Sequence, residues 1–171
     1  GLPPVVIGLV LYLLLSTAGP FGFLRLLYTP EAMVMAQMIA VLPLSVGISI
    51  SAVEAVDPRI RETTISLGAS RPWQTLMMLN EARIGIITSI VVGFGAAISE
   101  VGAIMIVGGN LLGYTRALTT AIVLLTNQGA FEEAIALGMI LLALSFVVNL
   151  ILVFIQLGLK RHDITGGRWR I

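Results

Sequence analysis

Apolar residues fall along this chain in long unbroken runs, not in the alternation of a half-buried strand. Four runs approach or reach the ~20 residues that cross a bilayer as a helix. The first, 4–18, is short but uncharged, and Pro3 and Pro4 suit a first helical turn. The second, 31–53, has Thr29 as N-cap, Pro30 at the first position and Glu31 at the positive end, with Pro43 expected to kink it. The third is 84–107, and the fourth is about 131–159, with Glu132 and Glu133 in its first turn. A fifth run, 117–125, is too short to span. It predicts an interfacial or re-entrant helix with Thr115 as N-cap and Asn127-Gln128-Gly129 as its end.

The fold class is therefore all-α: a polytopic membrane bundle of about four spans. With 57% hydrophobic and 11% charged residues, 171 residues could not hide their apolar surface in a water-soluble core. The start Gly1-Leu2-Pro3-Pro4 carries no signal-peptide pattern and already enters an apolar run, so further helices are expected upstream. Net charge +1 argues against a nucleic-acid partner, and the lack of cysteine excludes disulfides and thiolate metal sites. No metal ligands and no catalytic residues are expected.

The polar island 54–83 interrupts this pattern with four of the nine acids and four of the ten bases. Asp57 is placed to cap a helix opened by Pro58, Gly68 to close it, and Ser70 to cap a second helix that leads back into apolar sequence. Ile60, Thr64 and Leu67 share a face of the first helix by their spacing. Such a helix suits docking in a partner's groove, or serves as a solvated connector. Arg59, Arg61, Arg71 and Arg83 of the island, with Lys160, Arg161, Arg168 and Arg170 of the tail, stand against Arg25 and Arg116 alone on the other side. The positive-inside rule puts the island and the C-terminus in the cytoplasm, in the inner (cytoplasmic) membrane. The tail, with Trp169, reads as an interfacial anchor to anionic lipid, and His162 within it as a solvated residue.

Small residues crowd the third run (Gly85, Gly93, Gly95, Ala96, Ala97, Ser99, Gly102, Ala103), as where helices approach closely inside a bundle or at a subunit seam. Glu100 is the one acid deep in an apolar segment, so it is a candidate either for structural pairing or for gating. The stretch 108–120 offers glycine amides with Gly109, Asn110, Thr115, Arg116, Thr119 and Thr120. These suit an oxyanion, or make a plain turn and cap.

The segment Glu62-Thr63-Thr64-Ile65-Ser66-Leu67-Gly68 resembles the E-A-A-x-x-x-G loop of bacterial ABC importer permeases, with Thr63 and Thr64 in place of the alanines and no later I-x-L-P. Asn80-Glu81-Ala82-Arg83, Ala97-Ile98-Ser99-Glu100-Val101-Gly102-Ala103, Val107-Gly108-Gly109-Asn110 and Gly113-Tyr114-Thr115-Arg116 resemble the tungstate-type permeases, relatives of molybdate and sulfate permeases. The resemblance covers essentially the whole chain as one permease domain, 1–171. It implies that Asp57, Arg59, Arg61, Glu62, Thr63, Thr64, Leu67 and Gly68 form a coupling helix docking on a dimer of ATPase subunits. It further implies a second permease copy, an extracytoplasmic oxyanion-binding protein, and no cofactor in this chain, ATP and Mg being bound by the ATPase. The sequence has no phosphate-binding loop of its own. An intramembrane protease is disfavoured by the lone His162 and the lack of His-Glu-x-x-His, while a scaffold without transport stays compatible with the island alone.

Overall fold

The structure is a computed structural model that describes residues 3–166, with side chains described to Gly158. The tail residues Lys160, Arg161, His162, Arg168, Trp169 and Arg170 lie outside the described side chains. Every regular element among the described residues is helical: α1 (Pro4–Leu15), a 3-10 turn at Gly22–Leu24, α2 (Pro30–Glu54), α3 (Pro58–Ser66), α4 (Arg71–Glu81), α5 (Arg83–Ser99), α6 (Gly102–Gly108), α7 (Leu118–Asn127) and α8 (Phe131–Gly166).

The expected all-helical membrane bundle is borne out. By length and composition two described helices can cross a membrane, Pro30–Glu54 and Phe131–Gly158, and a third span forms if α4 and α5, bent by 62° at their junction, count together. The first run stops at Leu15 after 12 residues, because Ser16 turns extended and its amide closes on Tyr12. The third run does not continue to Val107: it breaks after Ser99, and α6 starts afresh at Gly102. Almost nothing in the two long helices is buried, so their apolar side chains face outward, as lipid or another subunit requires.

The chain divides into two compact units. One takes residues up to Pro43 with Phe94–Asn149. Its core is Ile7, Leu11, Leu15, Ala32, Ala36, Ala103 and Val107. Here α1 lies directly on α6: a Cβ on Gly8 would come within 2.7 Å of the Ala103 Cα. Only glycine permits that approach. The amide of Tyr28 donates to the Val107 carbonyl at 2.8 Å. Gly109 has φ +68° and faces the Tyr28 ring, so a side chain fails there on both conformation and space.

The other unit takes Leu44–Gly93 with the residues from Leu150 on. Gly85 of α5 packs on the Ala52 side chain of α2, as the small-residue pattern anticipated, whereas Gly95 faces open space. Nearby, the Ser49 and Ser89 hydroxyls meet at 2.8 Å. Ser89 is nearly fully buried. The Gln156 amide of α8 donates to the Thr88 hydroxyl. These hydrogen bonds join helices where few other polar partners exist.

Candidate functional site

The island folds into a capped helical hairpin. The Asp57 carboxylate accepts the Arg59 amide at 2.9 Å, and Pro58 opens α3. Leu67 ends it, and Gly68 takes φ +73°. The Gly68 amide donates to the Ile65 carbonyl at 2.9 Å and the Ala69 amide to the Thr64 carbonyl at 3.1 Å, the paired bonds of a Schellman closure. Ser70 stands at the start of α4, but its side chain makes no cap; the Gln74 side chain instead donates to the Ala69 carbonyl at 2.8 Å.

The helix hydroxyls are satisfied locally: Thr63 donates to the Arg59 carbonyl, Thr64 to Arg61 and Ser66 to Glu62. Ile60, Thr64 and Leu67 differ in exposure. Thr64 is buried against the chain itself and Ile60 is half-buried, while Leu67 is 80% exposed. The helix ends before Leu67, which stands at its C-cap. Arg59, Arg61, Glu62 and Thr63 stay exposed, and Ile65, Trp73, Leu76 and Met77 add exposed apolar surface to the hairpin. The exposed apolar surface of the hairpin is thus Ile65, Leu67, Trp73, Leu76 and Met77, with Arg59, Arg61 and Glu62 beside it.

Glu100 sits at the break between α5 and α6. Its Oε1 accepts the Ala103 amide at 2.9 Å, so it satisfies one of the unpaired amides that open α6. The sequence left its partner open; the partner is the chain's own backbone.

The stretch after α6 separates into two sets. Thr115 is buried, and its hydroxyl donates to the Gly108 carbonyl at 2.6 Å and accepts the Leu111 amide at 2.9 Å. It holds the 108–115 turn instead of capping α7, which corrects the expected N-cap. The N-cap is Ala117, without a side-chain bond, and the fully buried Thr120 inside the first turn reaches back to it: its hydroxyl accepts the Ala117 amide and donates to the Ala117 carbonyl, both at 3.0 Å. Gly109 and Asn110 are in left-handed conformations, and the Asn110 Oδ1 is buried without a partner among the described residues. At the far end α7 closes as expected: Gly129 at φ +78°, the Ala130 amide on Leu125 and the Gly129 amide on Thr126.

Thr115, Arg116 and Thr119 line a cleft of about 400 Å³ whose other walls include Met33, Gln37, Tyr114 and Leu141. Arg116 is exposed and its guanidinium donates to the Asn110 carbonyl at 3.3 Å. The Thr119 hydroxyl makes no hydrogen bond among the described residues and is the one uncommitted hydroxyl of the expected set. Gly109, Asn110 and Thr120 do not line the cleft. Gln37 was missed by sequence reading; its side chain donates to the Ala97 carbonyl at 3.1 Å beside the cleft. Its signal was a long amide in the middle of an apolar run.

The chain is similar over 98% of its length to a probable anion ABC transporter permease protein of Haloferax volcanii, at 44% identity and covering 72% of that protein. It is 42% identical to the tungstate uptake system permease protein TupB of Peptoclostridium acidaminophilum over 90% of the chain and 68% of that relative. It is 37% identical to TupB of Campylobacter jejuni over 87% of the chain and 62% of that relative. No family model and no solved structure matches it.

Proposed function

Because the chain belongs to the permease family of the ABC transporters, we propose that it carries an oxyanion, tungstate first, into the cytoplasm as one of two permease copies. A separate pair of ATPase subunits binds ATP and Mg and drives alternating access. An extracytoplasmic binding protein delivers the anion. In this reading the protein lies in the cytoplasmic membrane, with the hairpin and the C-terminus on the cytoplasmic side, as the distribution of Lys and Arg supports.

The observation that carries the reading is the α3 hairpin. It is a helix capped at both ends that presents Leu67 and Ile65 beside Arg59, Arg61 and Glu62, in a chain whose relatives are named permeases. A helix closed at both ends moves as one piece, so force applied by the ATPase at α3 passes to α2 and α4, which flank it in the chain. The cleft bearing Arg116 and Thr119 offers the anion a guanidinium and a hydroxyl on its way in.

Tungstate ranks first because relatives at 42% and 37% identity are named for its uptake. Molybdate or sulfate is the second reading, favoured by the resemblance to those permeases. The experiment is uptake of tungstate, molybdate and sulfate into liposomes holding the complete transporter, with and without ATP. ATP-dependent accumulation of tungstate in preference to the other two is expected. Equal or no accumulation of all three would reject the assignment, and copurification without any ATPase would favour a scaffold.

A further inference from the structure

A second recess, of about 570 Å³, is walled by Val53 at the end of α2, Arg61 of α3, and Arg71, Gln74, Thr75 and Met78 of α4. The four α4 residues follow the i, i+3, i+4, i+7 spacing of one helix face. Two guanidiniums from two helices therefore share one concavity. Among the described residues neither has an ion-pair or hydrogen-bond partner. No carboxylate lines the recess, and the Asp57 carboxylate in the same hairpin is occupied by the Arg59 amide.

Both arginines are exposed, while Val53 and Met78 beside them are half-buried, so the recess carries two positive charges and no negative one. An anion between them balances that charge. The polar remainder is suited to an acceptor-rich ligand. Gln74 is held by its bond to the Ala69 carbonyl and keeps a second amide N–H free, and the uncapped start of α4 adds positive potential at the Arg71 end. Planar guanidiniums pair with tetrahedral oxyanions through two parallel N–H bonds, which an ammonium cannot do.

The outer side of α4 exposes Trp73, Leu76, Met77 and Leu79, and the apolar α5 follows after the 62° bend. An amphipathic helix of this composition beside an apolar one lies at the depth of lipid head groups. We propose that the recess walled by Arg61 and Arg71 is a binding site for a phosphate-type tetrahedral oxyanion, either free or carried on an anionic phospholipid. The site is separate from the Arg116 cleft and does not depend on which anion is transported.

The test uses the complete purified transporter. Binding of inorganic phosphate and of tungstate is measured by equilibrium dialysis in delipidated detergent solution. Retention of phosphatidic acid is measured by native mass spectrometry from nanodiscs of phosphatidylcholine with and without that lipid. Replacing both arginines (R61Q with R71Q) should weaken binding roughly tenfold or more, since glutamine cannot supply the charge-assisted bonds of a guanidinium. Arg59→Gln, on the same helix but off the recess, should leave it within a factor of two. The lysine pair (R61K with R71K) keeps the charge and the hairpin and should fall between. Arginine dependence for the free anions alone identifies a soluble ligand; for phosphatidic acid alone, a lipid. If neither depends on the arginines the proposal fails. It also fails if the double variant sheds the ATPase subunits while anion binding is unchanged, since the recess would then receive a partner's carboxylates.

Discussion

The Glu100 carboxylate accepts the amide of Ala103 at 2.9 Å, three residues ahead of it. An acid in an apolar segment is costly unless something satisfies it. Here the cost is offset by the first turn of α6, and the break in the helix is what makes those amides available. Glu100→Gln keeps an acceptor oxygen and should be close to wild type in thermal unfolding of the detergent-solubilised protein. Glu100→Ala should lose about 1 kcal/mol, the usual worth of such a cap. Equal losses for both would show that charge, not capping, is the property in use.

Gly8→Leu should separate α1 from α6. Even the Cβ lies 2.7 Å from the Ala103 backbone, which cannot step aside as a flexible side chain would. The expected cost is about 1–3 kcal/mol, as for overpacking a tight contact. Gly95→Ala meets nothing within 4 Å and should be neutral or slightly stabilising. Parallel thermal melts of the two variants make the comparison; equal destabilisation would contradict the close approach.

Gly68→Ala tests the hairpin closure. Space is open around Gly68, so the whole penalty is conformational, about 1 kcal/mol for a side chain held at φ +73°. Gly68→Asn should be milder, and Gly68→Pro, which removes the amide donated to Ile65, more severe. The prediction is an ordered loss of transport-coupled ATP hydrolysis, Asn then Ala then Pro, with the helix content by circular dichroism nearly unchanged. Full coupling in the proline variant would remove α3 from the coupling path.

Thr115→Val should unfasten the 108–115 turn, since one hydroxyl both gives and takes a hydrogen bond there. A loss of about 1–3 kcal/mol is expected from leaving the buried Gly108 carbonyl and Leu111 amide unpaired. Thr115→Ser should recover most of it in the same unfolding assay. A harmless valine would show that the turn is held by packing alone.

Arg116→Glu reverses the one formal charge on the cleft, and Thr119→Val removes its uncommitted hydroxyl. Both should slow oxyanion uptake by proteoliposomes, the charge reversal by roughly tenfold or more at low salt. Unchanged flux in both would move the pathway elsewhere.

Much of the hairpin was legible in advance because its signals are local. Asp57-Pro58 and Gly68 each act within four residues of themselves, and the structure places them at the helix boundaries, as it does Ser70, whose side chain nonetheless makes no cap. The same holds for the Thr29-Pro30 start of α2, where the Thr29 hydroxyl takes the Ala32 amide at 3.4 Å, and for Gly129. What hydropathy could not register was the break at Glu100, since Val101 and Gly102 continue an apolar average across it. Nor could spacing show that Thr115, the expected N-cap, is engaged elsewhere while Thr120 ties back the start of α7. The Thr115 hydroxyl is taken by the Gly108 carbonyl seven residues upstream. Thr64 turned inward because α3 packs on α4, a contact that the helix's own periodicity does not contain.

The Schellman closure at Gly68 separates the shape of the hairpin from the identity of its side chains. Its bonds run between main-chain atoms alone, and the hydroxyls of Thr63, Thr64 and Ser66 are absorbed by carbonyls of their own helix. Threonine can therefore stand where a related loop carries alanine without asking anything of a neighbour. Under the proposed docking of an ATPase on α3, the exposed positions, Leu67 foremost, are left free to be matched to that subunit, and re-tailoring the fit requires no refolding of the hairpin.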